Sequence, residues 1–174
     1  MGDPTVNGND FASEAACIRK ALTPRAIVIE RANIEIAEFR REIEQHQPTV
    51  VHLAAHADMG LIHLTIDGTP MAVEPAAIAQ AIRAAAFRPH TVVFNFCDSE
   101  QLARHMAWRD DRRSGTVTQA IGWRGNITDQ QARTFAALLY GPYAGPHSII
   151  AAFGDARLTV TARWPGQAVP LLIA

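Results

Sequence analysis

Two short apolar segments, each flanked by sequence of helical periodicity, constrain the fold of this chain more than any other feature. They are residues 49–56, Thr-Val-Val-His-Leu-Ala-Ala-His, and residues 91–97, Thr-Val-Val-Phe-Asn-Phe-Cys. β-Branched runs of this length between helices are typical of buried parallel strands. Open α/β sheets bind ligands at the carboxyl ends of their strands. The pattern therefore predicts that His56 and Cys97 lie where an imidazole and a thiol can meet over a substrate.

The rest of the chain alternates between helical and strand patterns. Apolar spacing predicts helices over 10–22, from Ile36 to the Gln47-Pro48 stop, over 76–86, from 98 towards 108, over 130–140 and from 145 to about 157. Short apolar or alternating runs predict strands over 26–30, 61–66 and 117–123. Strands that alternate with helices of this length imply βαβ units. We therefore expect an α/β fold, a three-layer α/β/α sandwich with a mainly parallel sheet, as one domain over residues 1–174.

Charge and composition exclude several classes of partner. The formal net charge is -1, which gives no electrostatic reason to expect nucleic acid or an anionic membrane as partner. No apolar run approaches the length of a membrane span, and the start at Met1-Gly2-Asp3-Pro4 is not typical of a signal peptide. Two cysteines far apart in such a chain predict free thiols and a cytoplasmic protein.

Cys97 is the candidate nucleophile. A thiol attacks only as the thiolate, so it needs a base or a positive end nearby. His56 is the candidate base, and a helix opening at Asp98 would supply backbone N–H groups for an oxyanion. The alternative is that Cys97 is a small buried apolar residue, as most free cysteines are. The polar Asn95 and the segment Asp98-Ser99-Glu100 favour the catalytic interpretation, because a purely structural strand end does not need them.

The histidines do not predict a metal site. His52 and His56 are four residues apart on a strand, which separates them by about 13 Å, too far for one ion. We interpret His52 and His63 as packing residues. No cofactor is predicted, since neither Gly122-x-x-Gly125 nor the segment 141–145 forms a phosphate loop.

With these residues assembled, the chain resembles the CHAT domains, bacterial caspase-like cysteine peptidases related to separases. The family has a strand ending in His-Gly and, about forty residues later, a strand ending in Asn-x-Cys-x-Ser. Here His56-Ala57 and Asn95-Phe96-Cys97-Asp98-Ser99 match, with an interval of 41 residues. Further matches follow in order over nearly the whole chain, at segments 121–129, 132–140, 148–157 and the terminal strand of Val169-Pro170-Leu171.

The resemblance implies a cysteine endopeptidase that acts on a protein or peptide substrate. His56 would be general base and acid, Cys97 the nucleophile, and the backbone N–H groups of Cys97 and Ala57 would hold the oxyanion. By analogy with separase-like relatives, Asp129 would line a pocket for a basic side chain, with Asp58 as second candidate. The resemblance also implies an effector switched on by a sensor or regulatory partner, and in caspase relatives the region of loop 109–115 is a linker cut during activation.

Two departures from the family pattern keep an alternative open. Family members open with an apolar strand before an Asn-Pro or Asp-Pro turn, and that strand is missing before Asp3-Pro4. The glycine after the histidine is replaced by Ala57, whose Cβ restricts the backbone. Both departures favour a non-catalytic caspase-like module that binds a partner protein.

Overall fold

Helices and strands alternate along the chain in a computed structural model, which describes residues 11–66, 69–107, 119–141 and 149–173. The helices in these residues are α1 (Phe11–Leu22), α2 (Ile36–His46), α3 (Pro75–Arg83), α4 (Glu100–Ala107), α5 (Asp129–Leu139) and α6 (Ile149–Arg163). The strands are β1 (Val50–Leu53), β2 (His56–Asp58), β3 (Leu61–Ile66), β4 (Thr69–Val73), β5 (Thr91–Phe94), β6 (Gln119–Arg124) and β7 (Val169–Ile173). The chain is therefore a mixed α/β protein, as the sequence predicts.

The main sheet has four strands in the order β1-β5-β6-β7. β1, β5 and β6 run parallel, and β7 is antiparallel to β6. Val51 is in register with Val92, and Val93 with Ile121. All four residues of β5 are fully buried, which explains its continuous β-branched and aromatic sequence. The site residues that follow β5 thus start from the most buried strand of the main sheet.

Helices pack on both faces of this sheet. Because side chains alternate along a strand, Val92 and Phe94 face one side of β5 and Val93 faces the other. The first side carries the apolar residues of α2, α3 and α4, namely Phe39, Ile43, Ile78, Ile82, Leu102 and Met106. The second carries those of α1, α5 and α6, namely Ile18, Phe135, Leu139, Phe153 and Val160. One hydrophobic cluster therefore packs on each face of the sheet.

The segment 49–56 is not the single strand that its sequence predicts. β1 ends at Leu53, and His56 begins β2 in a separate antiparallel sheet of order β2-β3-β4. Within it His56 is directly opposite His63. The predicted strand 61–66 is confirmed as β3, whereas β4 was missed because Pro70 argues against a strand. Proline is tolerated there because β4 is an edge strand of this sheet.

The prediction of a strand over 26–30 is wrong. This segment forms no ladder with any strand of the described residues, and it leaves Ile27 92% exposed and Ile29 46% exposed. It connects α1, which packs on one face of the sheet, to α2, which packs on the other. β-Branched residues favour a strand only when a neighbouring strand pairs with them.

Helix boundaries differ modestly from the prediction. α3 ends at Arg83 rather than 86, α4 begins at Glu100 rather than 98, and α6 continues to Arg163 rather than 157. Residues 109–115, predicted to be a charged loop, and Asp67-Gly68, whose sequence predicts a turn, lie outside the described residues. No helix in the described ranges is long and apolar enough to cross a membrane.

Candidate active site

Cys97 lies in a tight turn between the end of β5 and the start of α4. The Ser99 hydroxyl fixes this turn: its Oγ is 2.8 Å from the carbonyl oxygens of both Phe94 and Phe96 and accepts a hydrogen bond from the Trp123 backbone N–H at 2.9 Å. Gly122 of β6 packs directly against it, since a Cβ there would lie 2.7 Å from the Ser99 carbonyl oxygen. Ser99 therefore has a structural role in this turn, so its presence does not by itself favour the catalytic interpretation that the sequence suggested.

Asp98 does not open the helix, although its sequence predicted this. Its φ is 50°, in the left-handed region, and α4 begins two residues later. Its Oδ1 accepts a hydrogen bond from Gly125 N at 2.9 Å, and its own N–H donates to the Gly125 carbonyl at 3.1 Å. The N–H of Asp98 is thus already used within the protein and is not offered to an oxyanion.

A salt-bridge cluster joins the start of α4 to the end of β6. Both Arg104 and Arg124 donate to the Glu100 carboxylate, at distances of 2.6–3.0 Å. Hydrogen bonds from Arg124 and then Arg104 lower the pKa of Glu100 to about 2. Glu100 therefore stays ionised at neutral pH, and its charge is matched by these guanidinium groups.

The Cys97 thiol is half-buried and favours its protonated form. Burial is the main cause that raises its pKa, and the negative charges of Asp98 and Asp129 act in the same direction. Its Sγ donates to the carbonyl oxygen of Ile127 at 3.6 Å. A thiol in this environment needs a base or an added positive charge before it can act as a nucleophile.

The rate of Cys97 alkylation should therefore respond to Asp129. In Asp129→Asn the loss of a nearby negative charge stabilises the thiolate, so the pKa of Cys97 falls and more thiolate is present at pH 8. We expect iodoacetamide to modify Cys97 about twofold faster or more, as measured by mass spectrometry with Cys17 as internal reference. Asp155→Asn, on an exposed position of α6, is the matched control and should leave the rate unchanged. Equal rates in wild type and Asp129→Asn would contradict the assigned charge effect.

One pocket contains three of the predicted site residues. Ala57 and Asp58 of β2 line it together with Cys97, along with Gly60, Ile62, Pro75, Phe96, Asp98, Ser99 and Leu102. Asp58 is exposed and Ala57 is half-buried. The two residues that directly follow His56 therefore share a pocket with the candidate nucleophile, although they belong to the other sheet.

Asp129 is the first residue of α5, one position before the helix start that the sequence predicts. Thr128 caps this helix by accepting from Gln131 N, while the Gln131 side chain accepts from Thr128 N. Asp129 is half-buried, and its carboxylate is close enough to Cys97 to raise the pKa of the thiol. Thr128 therefore caps α5, whereas the charge of its neighbour Asp129 acts on Cys97.

His56 is half-buried at the start of β2. Its imidazole meets the ring of Phe11 of α1 edge-on, with centroids 5.4 Å apart and planes at 72°. Sequence reasoning paired His56 with Cys97 alone and did not predict this contact with α1.

A buried polar network beside the site was also missed. His52, interpreted as a packing residue, bonds through Nε2 to Glu14 Oε1 at 2.7 Å and through Nδ1 to the Tyr140 hydroxyl at 3.0 Å. Asn95 donates to Glu14 and accepts from Trp123 Nε1 at 2.8 Å. Burial raises the pKa of Tyr140, with Glu14 adding to the effect, so the hydroxyl keeps its proton. The signal in the sequence was a carboxylate on the apolar face of α1, three residues after Phe11.

Within the residues described, no group of three or more His, Cys, Asp or Glu side chains is placed to hold a metal ion. No protein-family model matches the sequence, and no curated protein matches it either.

Proposed function

We propose that this chain is a caspase-like cysteine endopeptidase, a single domain whose helices and main sheet form a three-layer α/β/α sandwich. The observation that carries the proposal is the shared pocket at the carboxyl end of β5. Cys97 follows the central buried strand, and the residues after His56, Ala57 and Asp58, line the same pocket. Acyl transfer through cysteine needs a base within reach of the thiol. The approach of β2, which begins with His56, to the pocket of Cys97 supports this pairing.

In the proposed reaction His56 takes the proton of the Cys97 thiol as the sulfur attacks the carbonyl carbon of a peptide bond. The backbone N–H groups of Cys97 and Ala57 hold the resulting oxyanion. The C–N bond then breaks, and His56 returns its proton to the leaving amine. A water molecule next attacks the thioester and gives a proton to His56, which returns it to the sulfur as the carboxylic acid leaves.

The charges around Cys97 favour substrates with a basic side chain. Asp129 and Asp98 both act on the thiol, and Asp58 lines its pocket. An Arg or Lys side chain at Asp129 would form a charge-assisted hydrogen bond. The same cation would also offset the negative charge that raises the pKa of Cys97, so a basic substrate would promote formation of its own nucleophile.

Peptides cleaved after Arg or Lys should therefore be preferred, and Asp129→Ala should reduce their turnover about tenfold or more, as loss of a charge-assisted contact would. Turnover of matched fluorogenic peptides ending in Arg, Leu and Asp measures this preference. Asp155→Ala serves as control for a general loss of negative charge. Equal turnover of the three peptides by wild type would show that no basic pocket exists.

Covalent trapping tests the proposed function itself. A peptidyl acyloxymethyl ketone ending in Arg should add once to wild type, with the adduct mapped by mass spectrometry to Cys97. His56→Ala should react far more slowly, while His63→Ala, which changes the opposite position of the same small sheet, should react like wild type. No adduct, or equal labelling of Cys17, would overturn the proposal.

The proposed setting is a cytoplasmic effector that a sensor or regulatory protein switches on. The raised pKa of Cys97 favours the protonated thiol, so a partner whose binding brings a base or a positive charge to Cys97 would increase its reactivity. The same observation is the one that favours the second candidate function, a non-catalytic caspase-like module that binds a partner protein. Absence of both trapping and turnover, with an intact fold, is the result that would favour this second candidate.

A further inference from the structure

A single buried oxygen connects the two chain segments that lead to His56 and Cys97. Glu14 of α1 is only 4% exposed. Its Oε1 accepts hydrogen bonds from His52 Nε2 at 2.7 Å and from Asn95 Nδ2 at 2.6 Å. His52 precedes His56 by four residues, and Asn95 precedes Cys97 by two. The backbones of these segments are already paired through β1 and β5, and the Glu14 carboxylate adds a bridge between their side chains.

The donors to Glu14 are themselves held in place. Asn95 Nδ2 also donates to the Ala132 carbonyl at 3.0 Å, and its Oδ1 accepts from the Trp123 indole. His52 Nδ1 lies 3.0 Å from the Tyr140 hydroxyl. A fully bonded network of this kind in a low-dielectric interior has one favoured geometry, and a change at any member leaves a buried polar atom without its partner.

The same helix contacts His56 directly. Phe11 lies one turn before Glu14 and is 7% exposed, and the centroid of its ring is 5.4 Å from that of the imidazole. α1 thus carries two residues that contact the site segments. Glu14 bonds to the side chains of both segments, and the ring of Phe11 contacts the candidate base His56.

We propose that α1 sets the position of His56 relative to Cys97, with Glu14 and Phe11 as positioning residues that touch no substrate. This inference rests on the proposed peptidase function for its kinetic consequences. α1 differs from a helix that only covers apolar surface, because it contacts His56 and because its Glu14 bonds to both segments.

Steady-state kinetics of three α1 variants test the role of Glu14. Glu14→Leu should lower kcat by about 30-fold or more with KM little changed, because a small misplacement of reacting groups has effects of this size. Glu14→Gln keeps an amide oxygen as acceptor and should restore much of kcat. Ile18→Ala removes packing from the same helix without a polar contact to either segment, and it should keep kcat near the wild-type value. All variants are compared at a temperature where circular dichroism shows each to be folded.

Two kinetic results would overturn the proposal. Glu14→Leu with wild-type kcat would show that the bridge does not position the site. An equal fall of kcat in Ile18→Ala and Glu14→Leu would show that α1 contributes only general packing.

The reaction of His56 with diethyl pyrocarbonate tests the role of Phe11 without any enzyme assay. Phe11→Leu keeps an apolar side chain but removes the ring, and carbethoxylation of His56, mapped by mass spectrometry, should become several-fold faster. His105, exposed on α4, is the internal reference. If wild type shows neither turnover nor trapping, the proposed function fails while this measurement still decides the inference: a faster rate in Phe11→Leu supports positioning by α1, and an unchanged rate overturns it.

Discussion

Cys97→Ala is expected to abolish peptide hydrolysis, with kcat/KM falling by at least about 1,000-fold, as it does when the nucleophile of an acyl-transfer enzyme is removed. Alanine cannot form the thioester, and what remains can come only from substrate binding and oxyanion stabilisation. The substitution removes one half-buried sulfur, so the fold should persist. The measurement is turnover of a fluorogenic peptide ending in Arg, with the melting temperature recorded for each protein.

The second cysteine supplies the matched control. Cys17 is also a free, half-buried thiol, and it lies on α1. Cys17→Ala should keep wild-type turnover, which separates the loss of the nucleophile from the loss of any thiol. Activity of Cys97→Ala within tenfold of wild type would show that the observed hydrolysis has another source.

The largest effect on stability is expected at Gly122, in the middle of β6. A Cβ at this position would lie 2.7 Å from the Ser99 carbonyl oxygen and 2.8 Å from the Ala103 Cβ. Backbone cannot give way as a flexible side chain can, so Gly122→Ala must push β6 away from the start of α4. We expect the free energy of unfolding to fall by about 2–3 kcal/mol, in the range known for overpacked cores. Urea unfolding followed by circular dichroism measures it.

Gly154→Ala is the control for this experiment. Gly154 lies in the middle of α6 and is exposed to solvent. Nothing lies within 4 Å of a Cβ added there. Alanine there should raise the free energy of unfolding by about 0.5–1 kcal/mol, because glycine is a poor helix former. Opposite signs at the two glycines are the expected result. A Gly122→Ala protein as stable as wild type would contradict the close approach of β6 to the Ser99 turn.

The elements that were predicted well have signals confined to a few neighbouring residues. β5 shows an uninterrupted β-branched run, and α5 shows the capping pair of Thr128 and Gln131. Such signals act through local backbone and burial preferences, which a sequence displays directly. The polar residues around Cys97 were interpreted as signs of catalysis, whereas Asn95, Asp98, Ser99 and Glu100 all make structural hydrogen bonds.

The missed features depend on partners distant in sequence. Whether 26–30 becomes a strand depends on a neighbour to pair with, and whether His56 continues β1 or begins β2 depends on β3 folding back against it. Glu14 bonds to His52, which lies 38 positions later in the sequence, and to Asn95, which lies 81 positions later. The periodicity of α1 predicted a buried face. It did not predict that the Glu14 carboxylate on this face would form hydrogen bonds with His52 and Asn95.

These distances also set the order in which the protein can fold during synthesis. α1 is made before its partners Asn95 and α5, by on the order of ten seconds at ordinary translation rates. Until then the apolar face of α1 and the Glu14 carboxylate lack the later residues that they contact in the folded protein. The loop that must close extends from α1 to α5, which is most of the chain. α1 should therefore be among the last elements to dock, and the site beside it is completed only when α1 packs against the sheet.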